Sequence, residues 1–385
     1  MRRPPTLPIV LAGFAAFLDL YATQPLLPLL ARAFHASNFA VSLTVTAPTV
    51  AVALAAPMVG RLADRFGLRR MILVSAFGLT ITTALAASSA NLHQLIFWRF
   101  VQGLVTPGIF ASAIAYIHQE WPTARVGRGM SAYVSGTVLG GFTGRAVAGL
   151  VAADATWPAA FLALAALNAV VAFVLLAWLP RERPAAVVAP EARLSQWGAV
   201  VRHFHNRQLV TTYTIGFCVL FTQVAMFTYV TFHLAAAPYL LSTAALGWLF
   251  VVYLIGAVAT PLAGRWVDVY GHRIGLAAAM GVGGIGALLT LVPWLPAVVG
   301  GLALSATGVF IAHATTSGYI GTVTTENRGL AVGLYSTFYY AGGSAGAALP
   351  AALWNVGGWP ACVALVLAVQ ALGVAIALTQ WASRR

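Results

Sequence analysis

Twelve runs of about twenty or more apolar residues follow one another along this chain, at 7–31, 40–60, 70–88, 93–118, 128–152, 157–179, 209–232, 244–263, 273–292, 296–320, 329–353 and 359–381. A helix needs about 20 apolar residues to cross the hydrocarbon of a bilayer, where every backbone amide must be bonded within the chain. Runs of this length are therefore read as transmembrane helices, and the 385 residues leave only short connections between them. With 60% hydrophobic and 8% charged residues, the chain lacks the charged quarter that a soluble domain carries. The fold class expected is an all-α integral membrane protein with twelve spans.

The formal net charge of +13 suggests a nucleic-acid partner only until the positions of the arginines are read. If the N-terminus is inside, every arginine except Arg32, Arg99 and Arg145 falls in a cytoplasmic segment. Positive residues in short loops are retained on that side, so both termini are expected to be cytoplasmic and the charge to serve topology and anionic headgroups. No nucleic-acid partner is expected. The first run is too long for a signal peptide, has no small-residue cleavage site and carries Asp19 in its middle. Cys218 and Cys362 lie apart in apolar runs, which argues against a disulfide framework. Metal-binding motifs such as H-E-x-x-H are absent from the sequence, and no cofactor is expected.

The one long polar stretch, 181–207, divides six runs (1–180) from six (208–385). It reads as a cytoplasmic linker, with an amphipathic surface helix around 194–204 as the alternative. Gly60-Arg-Leu-Ala-Asp-Arg-Phe-Gly67 recurs as Gly264-Arg-Trp-Val-Asp-Val-Tyr-Gly271, in each half between the second and third run. Arg128-Gly129 recurs as Arg328-Gly329 at the start of the fifth run of each half. Matches at equivalent places argue for an internal duplication.

Gly60 to Arg70 resembles the loop motif of the major facilitator superfamily, G-x-L-[AS]-D-R-[FY]-G-[RK]-[RK], with Leu68 where a basic residue is usual. Arg99-Phe-Val-Gln102-Gly103 resembles the R-x-x-Q-G motif on the fourth helix of the twelve-helix drug:proton antiporters. Gly136, Gly140, Gly141, Gly144 and Gly149 on the fifth run resemble their glycine-rich motif, from which Arg145 departs. With Leu20-Tyr-Ala-Thr-Gln-Pro-Leu-Leu-Pro28 and Gly333 to Gly343, the chain is similar to the arabinose-efflux and multidrug-efflux branch. The resemblance implies two six-helix bundles around a cavity lined by helices 1, 4, 7 and 10, open alternately to either face. It also implies a transporter rather than an enzyme: a monomer in a bacterial inner membrane, energised by the proton gradient and exporting a small drug-like or sugar-like compound. An uncoupled uniporter or importer is the alternative, and a non-transporting receptor is the alternative from another class.

Asp19 is the only acid in the middle of a run, and intramembrane ionisable residues mark function by default. At 1.5 Å per residue, Asp19 and Arg99 fall within a few ångströms of the same depth, so the two are expected to pair. They are the proton-coupling candidates, with a static buried ion pair as the alternative. The repeat offset of 204 places Gln223 where Asp19 stands in the first half. Gln223 reads either as a substrate donor or as a packing amide. Tyr21, Gln24, Gln102, Phe227, His313 and Tyr339 are further candidates for the cavity, although a lone histidine such as His313 is more often a hydrogen-bonded packing residue.

Gly60, Asp64, Arg65, Gly67 and Asp268 are the candidates for a cytoplasmic gate, in which Asp64 attracts a helix N-terminus and Gly60 lets backbones approach. On the fifth run, Gly140 and Gly144 leave room for Arg145. Arg145 is expected either to join Asp19, in a cluster that attracts an anion, or to turn toward helix 8 as a tie between the bundles.

Overall fold

The computed structural model describes residues 6–122, 125–182, 196–324 and 328–381, apart from the side chains of a few helical residues that include Arg61 and Asp64. In chain order the helices are α1 (Thr6–Leu18), α2 (Leu27–Ala33), α3 (Asn38–Phe66), α4 (Leu68–Ala87), α5 (Leu92–Val105), α6 (Pro107–Glu120), α7 (Val126–Asp154) and α8 (Trp157–Trp178). They continue as α9 (Gln196–His205), α10 (Arg207–Ala235), α11 (Thr243–Trp248), α12 (Val252–Tyr270), α13 (His272–Leu289), α14 (Leu295–Val323), α15 (Arg328–Ala348) and α16 (Pro350–Gln380). No strand occurs among the described residues.

Among the described residues, ten helical segments, counting α5 with α6 and α11 with α12 as one each, are long and apolar enough to cross a membrane. The sequence leads one to expect twelve, and the two remaining runs are the first and the eleventh. The first breaks between α1 and α2. In the eleventh, α15 is a continuous helix of 21 residues in which Tyr335, Ser336, Thr337, Tyr339, Tyr340 and the glycines lower the apolar content, and α16 turns a corner at Gly358, whose φ of 59° is non-helical. In the polar stretch, 196–205 is helical, with Phe204 against the rings of Tyr213 and Phe338 at 6.4 and 6.1 Å; residues 183–195 lie outside the description.

The chain forms two compact units, Met1–Arg183 with Phe227–Leu254, and Pro184–Met226 with Ile255–Arg385. In the first unit, Ile9, Ala12 and Ala16 of α1 pack with Ile72 and Leu79 of α4, Ile109 and Tyr116 of α6, and Val171 and Leu175 of α8. In the second, Ile215 and Val219 of α10 pack with Leu276 and Met280 of α13, Val309 and Ala312 of α14, and Ala377 of α16.

Two local devices explain the repeated sequence signals. Gly67 and Gly271 have φ of 89° and 87°, a conformation that costs an L side chain strain. Both glycine N–H groups bond four residues back, at 2.8 Å, to Ala63 and Val267. The duplicated loop is therefore one backbone turn used twice.

The glycines of α7 form a second device. A Cβ on Gly136, Gly140 or Gly144 would fall on the carbonyl oxygens of Val10, Phe14 and Leu18, three residues one helical turn apart on α1. In the second unit, Gly342 and Gly346 of α15 meet the carbonyls of Phe217 and Phe221 of α10 in the same way. Small residues at such crossings let apolar helices approach where no hydrophobic effect draws them together.

Candidate functional site

The site grows from the break in the first run. α1 stops at Leu18, residues 19–23 turn, and a single turn, Gln24–Leu26, leads into α2. Pro25 and Pro28 supply no N–H there, so the helical ladder cannot continue. Gln24 N turns to Tyr21 O at 3.1 Å, leaving Leu20 O without its helical donor. Within α3, Pro48 likewise leaves the carbonyl of Thr44 without a partner.

Arg99 of α5, fully buried, answers all of these breaks. Its Nε donates to Thr44 O at 3.0 Å, Nη1 to Asp19 O at 2.8 Å and Nη2 to Leu20 O at 2.7 Å. A cation at carbonyls that end a helix is favourable both as a hydrogen-bond donor and against the helix dipole. Gly103, on the same face of α5, packs on Pro48, since a Cβ there would contact Pro48 Cα and Ala51.

The same motif reaches the Asp19 carboxylate through a chain of side chains. Arg99 Nη1 donates to Gln102 Oε1 (2.5 Å), Gln102 Nε2 to Thr83 Oγ1 (2.8 Å), and Thr83 Oγ1 to Asp19 Oδ2 (3.1 Å). Asn168 of α8 also donates to Oδ2, at 2.6 Å. Among the described residues, Asp19 Oδ1 has no hydrogen-bond partner, nor has Asn168 Oδ1. Every donor in the chain points toward the carboxylate, so each bond polarises the next. Asp19 and Arg99 are thus adjacent, as expected from depth. The guanidinium is nevertheless spent on carbonyls and Gln102, while the carboxylate is held by a hydroxyl and an amide.

Past the break, Gln24 accepts from Arg145 Nε at 2.8 Å and donates to Thr228 Oγ1 at 3.1 Å. Arg145 Nη1 donates to Gly141 O at 2.5 Å. The guanidinium carbon lies 5.0, 4.6 and 5.1 Å from the ring centroids of Tyr21, Phe250 and Tyr253, and Phe227 packs on Tyr253 at 4.7 Å. Of the two expectations for Arg145, the geometry is that of a side chain turned toward 250–253 rather than toward Asp19. Its neighbour Gly149 meets Thr243 and Gly247 of α11, while Gly140 and Gly144 press on α1. The glycine motif therefore serves two partners.

Asp19, Tyr21, Gln24, Arg99, Gln102, Arg145 and Phe227 thus come together in the first unit. In the second unit, Gln223 is buried. His313 Nδ1 lies 3.0 Å from Tyr335 Oη, and the His313 ring lies 4.4 Å from that of Tyr339.

Of the loop candidates, Gly67 holds its turn, Arg65 lies over the Phe66 ring at 5.4 Å, and Asp268 is exposed. The Asp64 side chain lies outside the description. A methyl on Gly60 would meet no atom of the described residues within 4 Å.

Sequence reasoning missed Asn168, although it is the only amide, acid or base inside the sixth run. It also missed a clasp at the loop motif, where Glu182 accepts from Arg69 N at 2.5 Å. Arg69 in turn donates from Nε and Nη2 to Leu179 O and Leu176 O at 2.7 and 2.8 Å. Glu182 caps the start of α4 and Arg69 the end of α8, each with the sign the helix dipole favours.

The family model described as Major Facilitator Superfamily matches residues 9–237 and 231–384. Among curated relatives, the uncharacterized MFS-type transporter YybF of Bacillus subtilis is 29% identical over 92% of this chain and 88% of its own. The inner membrane transport protein YnfM of Escherichia coli is 28% identical over 95% of this chain and 88% of its own. Among solved structures, an inward-facing, unoccupied bacterial homolog of the human lysosomal transporter Spinster has a TM-score of 0.75 at 15% identity, covering 97% of this chain and 95% of that one. A point mutant of the nucleoside transporter NupG has a TM-score of 0.75 at 12% identity, over 98% and 100%. At these identities the two structures show a shared fold.

Proposed function

The chain belongs to the Major Facilitator Superfamily, and from that premise we propose that it is a proton-coupled exporter, with Asp19 as the proton carrier. The family's members are multi-pass membrane transporters of small molecules rather than enzymes, and this chain is a secondary transporter of that kind. In our reading it has twelve spans with both termini cytoplasmic. As a monomer in a bacterial inner membrane, it exports a small drug-like or sugar-like compound by alternating access.

The observation that carries the proposal is the Asp19 carboxylate, 3% exposed, with two neutral donors on Oδ2 and, among the described residues, none on Oδ1. A proton is taken at Oδ1, the oxygen no donor occupies, without displacing Thr83 or Asn168. Arg99 stabilises the anion from nearby while its hydrogen bonds to the helix break keep it in place in either protonation state. Asp19 lies in the same turn as Tyr21 and Gln24, which hold Arg145. A change of charge at Asp19 therefore acts on the segment whose contacts extend to 250–253. Each proton entering down a potential of 100 mV contributes about 2.3 kcal/mol, and each pH unit of gradient about 1.4 kcal/mol.

The test is ligand-dependent proton movement in proteoliposomes, followed with an entrapped pH dye across a panel of drug-like and sugar-like compounds. Compounds that the wild type exports uphill should move protons inward. Asp19→Asn should bind them yet neither move protons nor export uphill. Undiminished uphill export by Asp19→Asn would remove the proposal.

A further inference from the structure

The first unit buries two arginines, and they differ in how completely their hydrogens are used. A guanidinium has five N–H donors. Arg99, with contacts to Thr44 O, Asp19 O, Gln102 Oε1 and Leu20 O, uses four. Arg145, 3% exposed, uses two among the described residues, Nε on Gln24 Oε1 and Nη1 on Gly141 O. Its remaining neighbours are the ring faces of Tyr21, Phe250 and Tyr253, which attract a cation through their quadrupoles but carry no net charge. Buried charges require a counter-charge, and among the described residues no carboxylate forms an ion pair with Arg145. Asp19 is the only acid in the middle of an apolar run, and Thr83 and Asn168 hold its carboxylate. With Asp19 ionised, Asp19, Arg99 and Arg145 sum to one positive charge.

We infer that Arg145 is the recognition group for an organic anion, so that the exported compound carries a carboxylate or a comparable monoanionic group on an apolar or aromatic body. The rings of Phe250 and Tyr253 cover the guanidinium in this conformation. When they withdraw, Nη1 and Nη2 present a planar pair of donors, the geometry that takes a carboxylate in two parallel bonds. Tyr21 remains as a flat wall against which an aromatic body stacks. The loaded site then sums to zero charge. This inference rests on the transport reading above and names its substrate class.

Benzoate, benzamide and benzamidine share one shape and differ in charge, and their binding to the purified protein in phosphatidylcholine nanodiscs, with no proton gradient, tests the inference. Wild type should bind benzoate at least about tenfold more tightly than benzamide, the margin expected of a charge-assisted pair, and benzamidine least. Arg145→Lys should keep a weakened preference for benzoate, and Arg145→Gln should show none. Should Arg145→Gln not fold, the charge series on wild type and Arg145→Lys decides. Equal binding of the three probes, binding of none, or a benzoate preference surviving in Arg145→Gln overturns the inference. Arg145-dependent stabilisation by phosphatidylglycerol in place of benzoate also overturns it, because the arginine then holds a lipid headgroup. Asp19→Asn should retain the benzoate preference, so failure of proton coupling and failure of anion recognition are read separately.

Discussion

Arg99 grips the backbone of Asp19 and leaves its carboxylate to others: Nη1 lies 2.8 Å from the Asp19 carbonyl oxygen, while Asn168 and Thr83 hold Oδ2 at 2.6 and 3.1 Å. An ion pair and a backbone cap respond differently to substitution. Neutralising both members of a pair restores part of what neutralising one removes, whereas a cap is lost whatever stands opposite. Arg99→Gln should therefore lower stability by roughly 3 kcal/mol, the loss of several charge-assisted bonds, and adding Asp19→Asn should recover little of it. Thermal unfolding of the single and double variants in one detergent checks this, and near-complete recovery would point to the ion pair.

Asp19→Asn presents an amide where the protonated acid would stand. Thr83 can still donate to its oxygen, so the stability change should stay within about 1 kcal/mol, as for one exchanged hydrogen bond. Ligand binding by this variant should be flat between pH 5 and 8, in contrast to a pH-dependent wild type, because no other acid lies mid-span. Titration of binding against pH decides it, and a pH dependence matching the wild type counts against Asp19 as the carrier.

Glycines of similar appearance should differ in their response to one methyl group. Gly140→Ala places Cβ on the Phe14 carbonyl and should cost about 2–3 kcal/mol by overpacking. Gly60→Ala meets no atom of the described residues within 4 Å and should be neutral or stabilising by up to about 1 kcal/mol through helix propensity. If Gly60 serves the closed state of the proposed cytoplasmic gate, the same variant should slow transport while remaining folded. Normal turnover in Gly60→Ala would exclude that role.

The duplicated loops should fail in parallel. Gly67→Ala and Gly271→Ala each force a side chain to a φ near 90° and should each cost about 1–2 kcal/mol. Glu182→Gln, which weakens the bond to Arg69 N, should cost about 0.5–1 kcal/mol. Unfolding midpoints of the three variants test this, and a neutral Gly271→Ala beside a costly Gly67→Ala would show that the two loops are not equivalent.

Much of this protein is legible along the chain because the bilayer imposes its demands residue by residue. Apolar run length, arginine placement and the repeated G-R-x-x-D motif are one-dimensional quantities, and they lead to a membrane transporter of this family without any coordinates. The isolation of Asp19 is likewise a property of sequence. Depth alone brought Asp19 and Arg99 to one level, because helical rise is constant.

Only the tertiary structure decided what those residues touch. Rise gives depth and no direction, so it could not show that Arg99 turns to carbonyls that Pro48 and the break before Pro25 leave without partners. Asn168 and Thr83 are common residue types whose meaning is set by the helix they face, and they became partners of Asp19 only when α4 and α8 packed. Arg145 was ambiguous for the same reason. A flexible side chain selects among neighbours contributed by distant segments, and the three ring faces and the Gln24 oxygen that hold it come from residues 21, 24, 250 and 253, which only folding brings together.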